Sequence, residues 1–226
     1  MGAVIKKELK NYFFSPIGYI FIGLFLIMFS IFFYTDVFKY QSTNFEYIFY
    51  SGATILTFIS PILTMRTLAE ERKNGTEQLL LTTPISITKV IIAKFIAATL
   101  ILIITEICTY MYFAILSFFG KPHISSALIT QFGFLLLGMS YISFGILASS
   151  ITENQIIAGI VTIGFLILTW FLPQFNSIFT NVSLINMFTK FPRGEIDIAD
   201  TVTFITFIVM CLSLTIIFMQ RRKMVK

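Results

Sequence analysis

The sequence is short of charge. Asp, Glu, Lys and Arg make up 12% of its 226 residues, against about 25% in a soluble domain. That shortage excludes an ordinary water-soluble fold and places the chain in the membrane class. Histidine is nearly missing. His123 stands alone in a short loop, which removes two-histidine metal sites and most pairs of a nucleophile with a base. Cysteine is scarce as well. Cys108 and Cys211 both fall inside apolar runs and read as small hydrophobes, not as a disulfide or a metal pair. A lysine-tipped phosphate loop is absent. Gly18 and Gly23, and again Gly159 and Gly164, have phosphate-loop glycine spacing, but no lysine follows either pair. They are expected instead to be close-packing positions between helices, like Gly138, Gly145 and Ser149. The chain is therefore not expected to be an enzyme, to hold a metal or to bind a cofactor of its own.

What is abundant is hydrocarbon. Hydrophobic residues reach 57%, with 27 Phe, and the mean hydropathy is +0.89. A helix needs roughly 20 mostly apolar residues to cross a ~30 Å bilayer core. Six runs qualify, at about residues 17–34, 47–65, 90–119, 127–149, 156–172 and 202–219. The expected fold is therefore all-α, a single polytopic membrane domain over residues 1–226. The first run follows basic residues as a signal peptide would. No small-residue cleavage site follows it, so it is expected to be a retained anchor.

The net charge of +5 is a matter of topology and does not point to nucleic acid. With the N-terminus in the cytoplasm, Lys6, Lys7, Lys10, Arg66, Arg72, Lys73, Lys89, Lys94, Arg221, Arg222, Lys223 and Lys226 all fall inside. Only Lys39, Lys121, Lys190 and Arg193 fall outside. This bias places both termini in the cytoplasm of a plasma-membrane protein.

Three further stretches carry information. At the start, Ile5, Leu9, Tyr12 and Phe13 recur at helical spacing opposite Lys6, Lys7 and Lys10. Residues 1–16 are expected to form an interfacial helix, its bases near anionic lipid head groups, ended by Ser15-Pro16. The outer stretch 173–201 mixes apolar patches with polar residues, and reads either as short interfacial helices or as an ordinary loop. Within the spans, Glu106 is an ionisable group deep in the third run. It is either a pathway contact or a hydrogen-bonding tie between helices. Thr54, Thr57 and Ser60 share three-residue spacing beside Pro61, where a kink is expected. They either line a pathway or pack on a neighbour. Thr162 and Thr169 are the polar candidates of the fifth span.

The charged island at residues 66–86 is the fourth stretch. Residues 66–73 favour helix and are expected to continue the second span. Asn74-Gly75 stops them, because Gly accepts the left-handed cap conformation. Thr76 can cap a new short helix with Glu77 in its first turn, and Pro84 ends it. Leu79, Leu80 and Leu81 are consecutive, so they cannot all face one interior. They meet either a partner's groove or the head-group layer.

The island also carries a family resemblance. Ala69-Glu70-Glu71-Arg72-Lys73-Asn74-Gly75-Thr76-Glu77-Gln78-Leu79-Leu80-Leu81-Thr82-Thr83-Pro84 resembles the AEER-x-x-GT-x-E-x-LL-x-x-P segment of type-2 ABC transporter permeases. Here Glu77 follows Thr76 directly and Gln78 precedes the leucines. The opening Lys6-Lys7-Glu8-Leu9-Lys10 with Tyr12-Phe13-Phe14-Ser15-Pro16-Ile17-Gly18-Tyr19 is similar to the start of the same family. "FPRGEIDIAD" at residues 191–200 is similar to an outer-loop signature of the gliding-motility and nitrous-oxide-reductase-maturation type permeases. Glu70-Glu71-Arg72 is also similar to a motif of intramembrane prenyl-protein proteases, but Gly75 and the missing histidines set that reading aside.

The permease resemblance implies a membrane subunit with six helices, working with two cytosolic ABC ATPase subunits that bind the ATP and magnesium. It implies a second permease copy or homologue, membrane lipids around it, and export of a lipid, peptide or amphipathic drug-like compound. It implies a coupling helix over Gly75 to Thr82 that includes Glu77, Leu79, Leu80 and Leu81. Glu70, Glu71 and Arg72 then lie on the helix leading to it. The alternative function is a permease-like subunit that transports nothing and couples ATPase cycles to an envelope machine or a sensor.

Overall fold

Lipid offers the backbone no hydrogen-bond partner, so apolar runs of this length must close their bonds internally as helices. The computed structural model describes residues 2–39, 45–76, 85–119, 123–175 and 183–225, and no strand occurs among them. The chain order is α1 (Gly2–Phe14), α2 (Ile17–Phe33), a π-helical turn (Tyr34–Lys39), α3 (Phe45–Thr64) and α4 (Ala69–Lys73). Then follow α5 (Ile87–Phe119), α6 (Ile124–Ile151), α7 (Gln155–Phe175), α8 (Leu184–Phe188), a 3-10 turn (Phe191–Arg193) and α9 (Ile198–Val225). Six helices, α2, α3, α5, α6, α7 and α9, are long and apolar enough to cross a membrane. Several outrun the expected spans. α5 starts at Ile87, and α9 continues to Val225, because helical turns beyond the apolar run keep their backbone bonds in water as well.

The spans alternate in direction, so the bundle has two ends. One carries α1 and α4 and is called the elbow end. The other carries α8 and the 3-10 turn and is called the cap end.

α6 is the axis of the bundle. It packs against α9, α3, α7 and α5, and 78% of its apolar window is buried, against 28% for α2, α7 and α9. Small residues let its neighbours approach. A Cβ at Gly138 would overlap the Leu102 side chain, one at Gly145 would overlap Thr64, and one at Gly133 would overlap Phe191. Tight van der Waals contact of this kind holds helices together where lipid is as apolar as the side chains. The four glycines at phosphate-loop spacing divide. A Cβ at Gly18 would come within 2.9 Å of the Tyr12 carbonyl, and one at Gly159 would make an ordinary contact with Met65. Gly23 and Gly164 have nothing within 4 Å, which corrects the close-packing expectation for those two: their faces of α2 and α7 point away from the bundle. Ile27 and Ile31 on α2, Ile156 and Ile160 on α7, and Val202 and Val209 on α9 are likewise exposed.

Toward the cap end the core is aromatic. The Phe29 ring centroid lies 5.3 Å from Phe49 and 5.3 Å from Tyr112. Phe134 lies 5.2 Å from Phe49 and 5.9 Å from Phe188. Offset and edge contacts of this kind add about 0.5–1.5 kcal/mol each beyond burial. They tie α2, α3, α5, α6 and α8 into one layer. The described part of residues 173–201 holds the end of α7, the start of α9 and, between them, the short helices α8 and Phe191–Arg193. These short helices dock through Tyr50, whose hydroxyl donates to the Thr189 carbonyl at 2.6 Å. Gly194 closes the 3-10 turn at φ 79°, a left-handed conformation that glycine accepts freely. Lys190 Nζ then reaches Asp197 at 3.0 Å and Asp200 at 2.7 Å. The hydrogen bonds from Lys190 and the Ala199 N–H hold the Asp197 carboxyl below the usual carboxylate range.

Candidate functional site

Residues 66–73 of the charged island were expected to continue the second span as helix. They do so only after a break. α3 ends at Thr64, residues 65–68 form turns, and α4 starts at Ala69. Pro61 lies inside α3 and costs the Thr57 carbonyl its helical donor, but the helix runs on past it to Thr64. Thr57 Oγ1 bonds to the Ala53 carbonyl at 3.2 Å and to the Tyr141 hydroxyl at 3.3 Å. The break comes one turn on, where Ser149 of α6 intervenes. Its hydroxyl accepts from the Leu68 N–H at 3.1 Å and the Ala69 N–H at 3.0 Å, and donates to the Met65 carbonyl at 3.1 Å. A helix start leaves its first N–H groups without partners, and a serine usually supplies the acceptor from the residue before the helix. Here Leu68 holds that position, and the serine comes from another span. Ser149 therefore sets the bend of the elbow and fixes it to the end of α6. Replacing it with alanine leaves two buried donors without their acceptor, a cost of about 1–3 kcal/mol. The expected result is a lower melting temperature of the detergent-solubilised protein. An unchanged melting temperature would show that the hydroxyl is dispensable.

α4 is held from two further sides. Arg72 donates to the Ile151 carbonyl at 3.2 Å and pairs with Glu153 at 2.7 Å, which binds α4 to the α6–α7 turn. Arg66 pairs with Glu70 at 3.4 Å and donates to Gln155 Oε1 at 3.1 Å. On the opposite flank, Lys94 of α5 is only 2% exposed and sits between two acids. Its ammonium lies 2.8 Å from Glu71 of α4 and 3.2 Å from Glu8 of α1. A charge this buried is tolerable only when paired and hydrogen-bonded. The Tyr12 hydroxyl, one turn on from Glu8, donates to the Leu63 carbonyl at 2.8 Å. Burial, and after it the nearby Glu8 charge, raise the Tyr12 hydroxyl well above its ordinary value, so it stays a donor. Together these groups line a cavity of about 430 Å³ between α1 and the elbow, with Glu8, Tyr12, Leu63, Arg66, Glu71 and Lys94 among its walls.

Beyond α4 the chain turns as its residues dictate. Gly75 takes φ 71°, and its N–H bonds to the Arg72 carbonyl at 3.1 Å. Thr76 Oγ1 donates back to the Glu71 carbonyl at 3.1 Å. Of the coupling candidates, Glu70, Glu71, Arg72, Gly75 and Thr76 are thus gathered at the elbow. Glu77, Leu79, Leu80, Leu81 and Thr82 lie outside the described residues.

The pathway candidates are not brought together. Thr54 is exposed while Thr57 and Ser60 are buried, so three-residue spacing did not make one face. Each step of three falls about 60° short of a full turn, and over two steps the set rotates from lipid into the α3–α6 contact. The Thr162 and Thr169 hydroxyls are spent on the carbonyls of Ala158 and Leu166 in their own helix. Glu106 is buried, and its Oε1 has no hydrogen-bond partner among the described residues.

Lys94, Glu8 and Ser149 are the parts that sequence reasoning passed over as site residues. The signal for Lys94 was present: one lysine in the run VIIAKFIAATL needs an acid nearby, and Glu8 and Glu71 are two of the acids at that end, beside Glu70 and Glu153. Nothing local marked Ser149, whose role depends on a span 80 residues away in sequence from Ala69.

The described residues of the elbow form ion pairs and hydrogen bonds that cross from one element to another. The arrangement is a mechanical joint, in which one short charged helix is tied to α1, α3, α5, α6 and the α6–α7 turn. Among curated proteins none matches the chain. The family model described as ABC-2 family transporter protein matches residues 2–219, which takes in all six spans and the joint. The chain belongs to the ABC-2 transporter family, and is a multi-pass membrane permease subunit that serves an ABC transporter as a transport component in association with an ABC ATPase.

Proposed function

We propose that this permease exports a lipid, peptide or amphipathic drug-like compound, and that residues 66–86 form the segment a cytosolic ABC ATPase grips. The supporting observation is the joint. α4 is anchored on one flank by Lys94 and on the other by Ser149 and Arg72. Force applied just beyond it, at Gly75 to Thr82, therefore passes to α3, α5 and α6 together. Leu79, Leu80 and Leu81 supply the apolar grip, in the manner of a short helix in a groove. The motor is the partner: two ATPase subunits bind and hydrolyse ATP with magnesium. A second permease, identical or homologous, completes the assembly, and the pathway runs at the seam between the two. The lysine and arginine bias of the loops supports an elbow end, with both termini, facing the cytoplasm. The likeness of residues 191–200 supports a place in the gliding-motility and nitrous-oxide-reductase-maturation type.

One observation favours the alternative, a subunit that transports nothing and passes ATPase cycles to an envelope machine. The buried threonines of α7 bond within their own helix and offer no polar lining.

The docking test is a double substitution, Leu80→Asp with Leu81→Asp. Loss of ATPase co-purification, with membrane insertion intact, is the expected outcome. Undiminished binding of the ATPase would remove the coupling role from this segment.

A further inference from the structure

We propose that α1 is a lever that responds to anionic lipid: its lysine face binds phospholipid head groups, and its Glu8 face carries that state to the elbow through Lys94. At 100° per residue, Lys6, Lys7 and Lys10 lie within an arc of about 100°, roughly opposite Glu8 and Tyr12. All three lysines are exposed, while Glu8 and Tyr12 are buried. α1 packs on α5 and α2, and its buried face is the one that meets Lys94 and the Leu63 carbonyl. The opposite face therefore turns from the bundle toward the surrounding leaflet.

That face is built for an interface. Phe14 is 86% exposed and Tyr19 is 61% exposed, both beside the point where α1 gives way to the first span. Three lysines next to exposed aromatics suit the head-group layer of an anionic membrane, with attraction from the charges and anchorage from the rings. The charge pattern across the helix then matters. Glu8 sits one residue from Lys7, 3.9 Å away, but its nearer cation is Lys94 at 3.2 Å. Lys94 in turn holds Glu71 of the elbow. A shift of α1 in the head-group layer moves Glu8 and Tyr12 as one rigid helical face. It therefore acts on α4 by way of Lys94 and on the end of α3 by way of Leu63. The proposal rests on the chain's being a membrane permease and not on ATPase docking, so the ATPase has no part in its test.

The protein is placed in nanodiscs of phosphatidylcholine alone or of a phosphatidylcholine–phosphatidylglycerol mixture, with Cys108 and Cys211 replaced by alanine. A polarity-sensitive dye at Ala3→Cys reports α1, and a spin label at Asn74→Cys reports the elbow. In the native chain phosphatidylglycerol is expected to move the dye to a less polar setting and to change the mobility of the spin label. High salt is expected to cancel both, because exposed charges are screened. Each lysine near an anionic surface contributes about a fivefold factor in binding, so Lys6→Gln, Lys7→Gln and Lys10→Gln together lower the affinity of this face for phosphatidylglycerol on the order of 100-fold and should abolish both responses. Glu8→Gln leaves Lys94 its contact with Glu71. Combined with Tyr12→Phe, which removes the second tie, to Leu63, it should keep the response at α1 and lose the one at the elbow. An α1 dye indifferent to phosphatidylglycerol, or a response that survives the triple variant, overturns the lipid face. An elbow that still responds in Glu8→Gln with Tyr12→Phe overturns the connection through Lys94.

Discussion

Lys94→Met should be among the most damaging single substitutions in this chain. It removes the one ammonium between Glu71 and Glu8, 2.8 and 3.2 Å away. The two carboxylates are only 18% and 8% exposed, and they are left facing each other with only the exposed Lys7 nearby, 3.9 Å from Glu8. Breaking a buried pair by deleting one partner costs about 3–5 kcal/mol, far more than the pair adds when intact. The protein should therefore be recovered at lower yield and melt at lower temperature in detergent. What survives should have an elbow detached from α5. A second substitution makes the origin testable. Glu8→Gln placed on top of Lys94→Met removes one of the stranded charges, so the double variant should be more stable than Lys94→Met alone. Groups in one network are coupled, and the non-additivity measures that coupling. If the two substitutions simply add, the ionic bridge is not what holds α1 to the elbow.

Gly145→Val is the second large effect. A Cβ at Gly145 would already overlap Thr64, whose own Cβ would lie 2.7 Å away. Thr64 cannot yield easily. It is fully buried, β-branched and in the last turn of α3, and such side chains have little χ1 freedom in a helix. The two helices must separate instead, and at the worst place. Ser149 lies one turn further along α6, and its bonds to Met65, Leu68 and Ala69 form the elbow. Overpacking of a tight contact costs about 1–3 kcal/mol or more, and here it also carries off three hydrogen bonds. Gly164→Val is the matched control. Its site has nothing within 4 Å, so that variant should melt as the native protein does. Equal damage from both would mean that the α3–α6 contact has no special role.

The fold was largely legible from composition. A run such as residues 17–34 has no other stable state in a bilayer, so its helicity follows from solvent alone. The turn at Gly75 was legible as well, because its left-handed conformation is a local property of glycine. What stayed hidden depends on which helix faces which. Gly145 and Gly164 look alike in sequence, yet one is wedged on Thr64 and the other faces open space. The elbow shows the same limit. Residues 66–73 have helical composition, and local propensity continues the second span through them. The helix breaks because Ser149 competes for the backbone groups of residues 65–69, a competition visible only once α6 is in place. The threonine stripe failed for a related reason. Three-residue spacing suggests one face for Thr54, Thr57 and Ser60, but each step turns the set by about 60°, and the neighbouring helices bury Thr57 and Ser60 and leave Thr54 exposed.

The central claim is that the segment beyond the elbow meets a cytosolic motor. The most direct measurement places a photo-crosslinking amino acid at Leu80 in the intact membrane and identifies what it captures on illumination. The expected product is a covalent adduct between this permease and an ABC ATPase, absent when the same probe stands at Ile124 on the cap end. Adducts to lipid alone, or capture of the ATPase from Ile124 and not from Leu80, would contradict it.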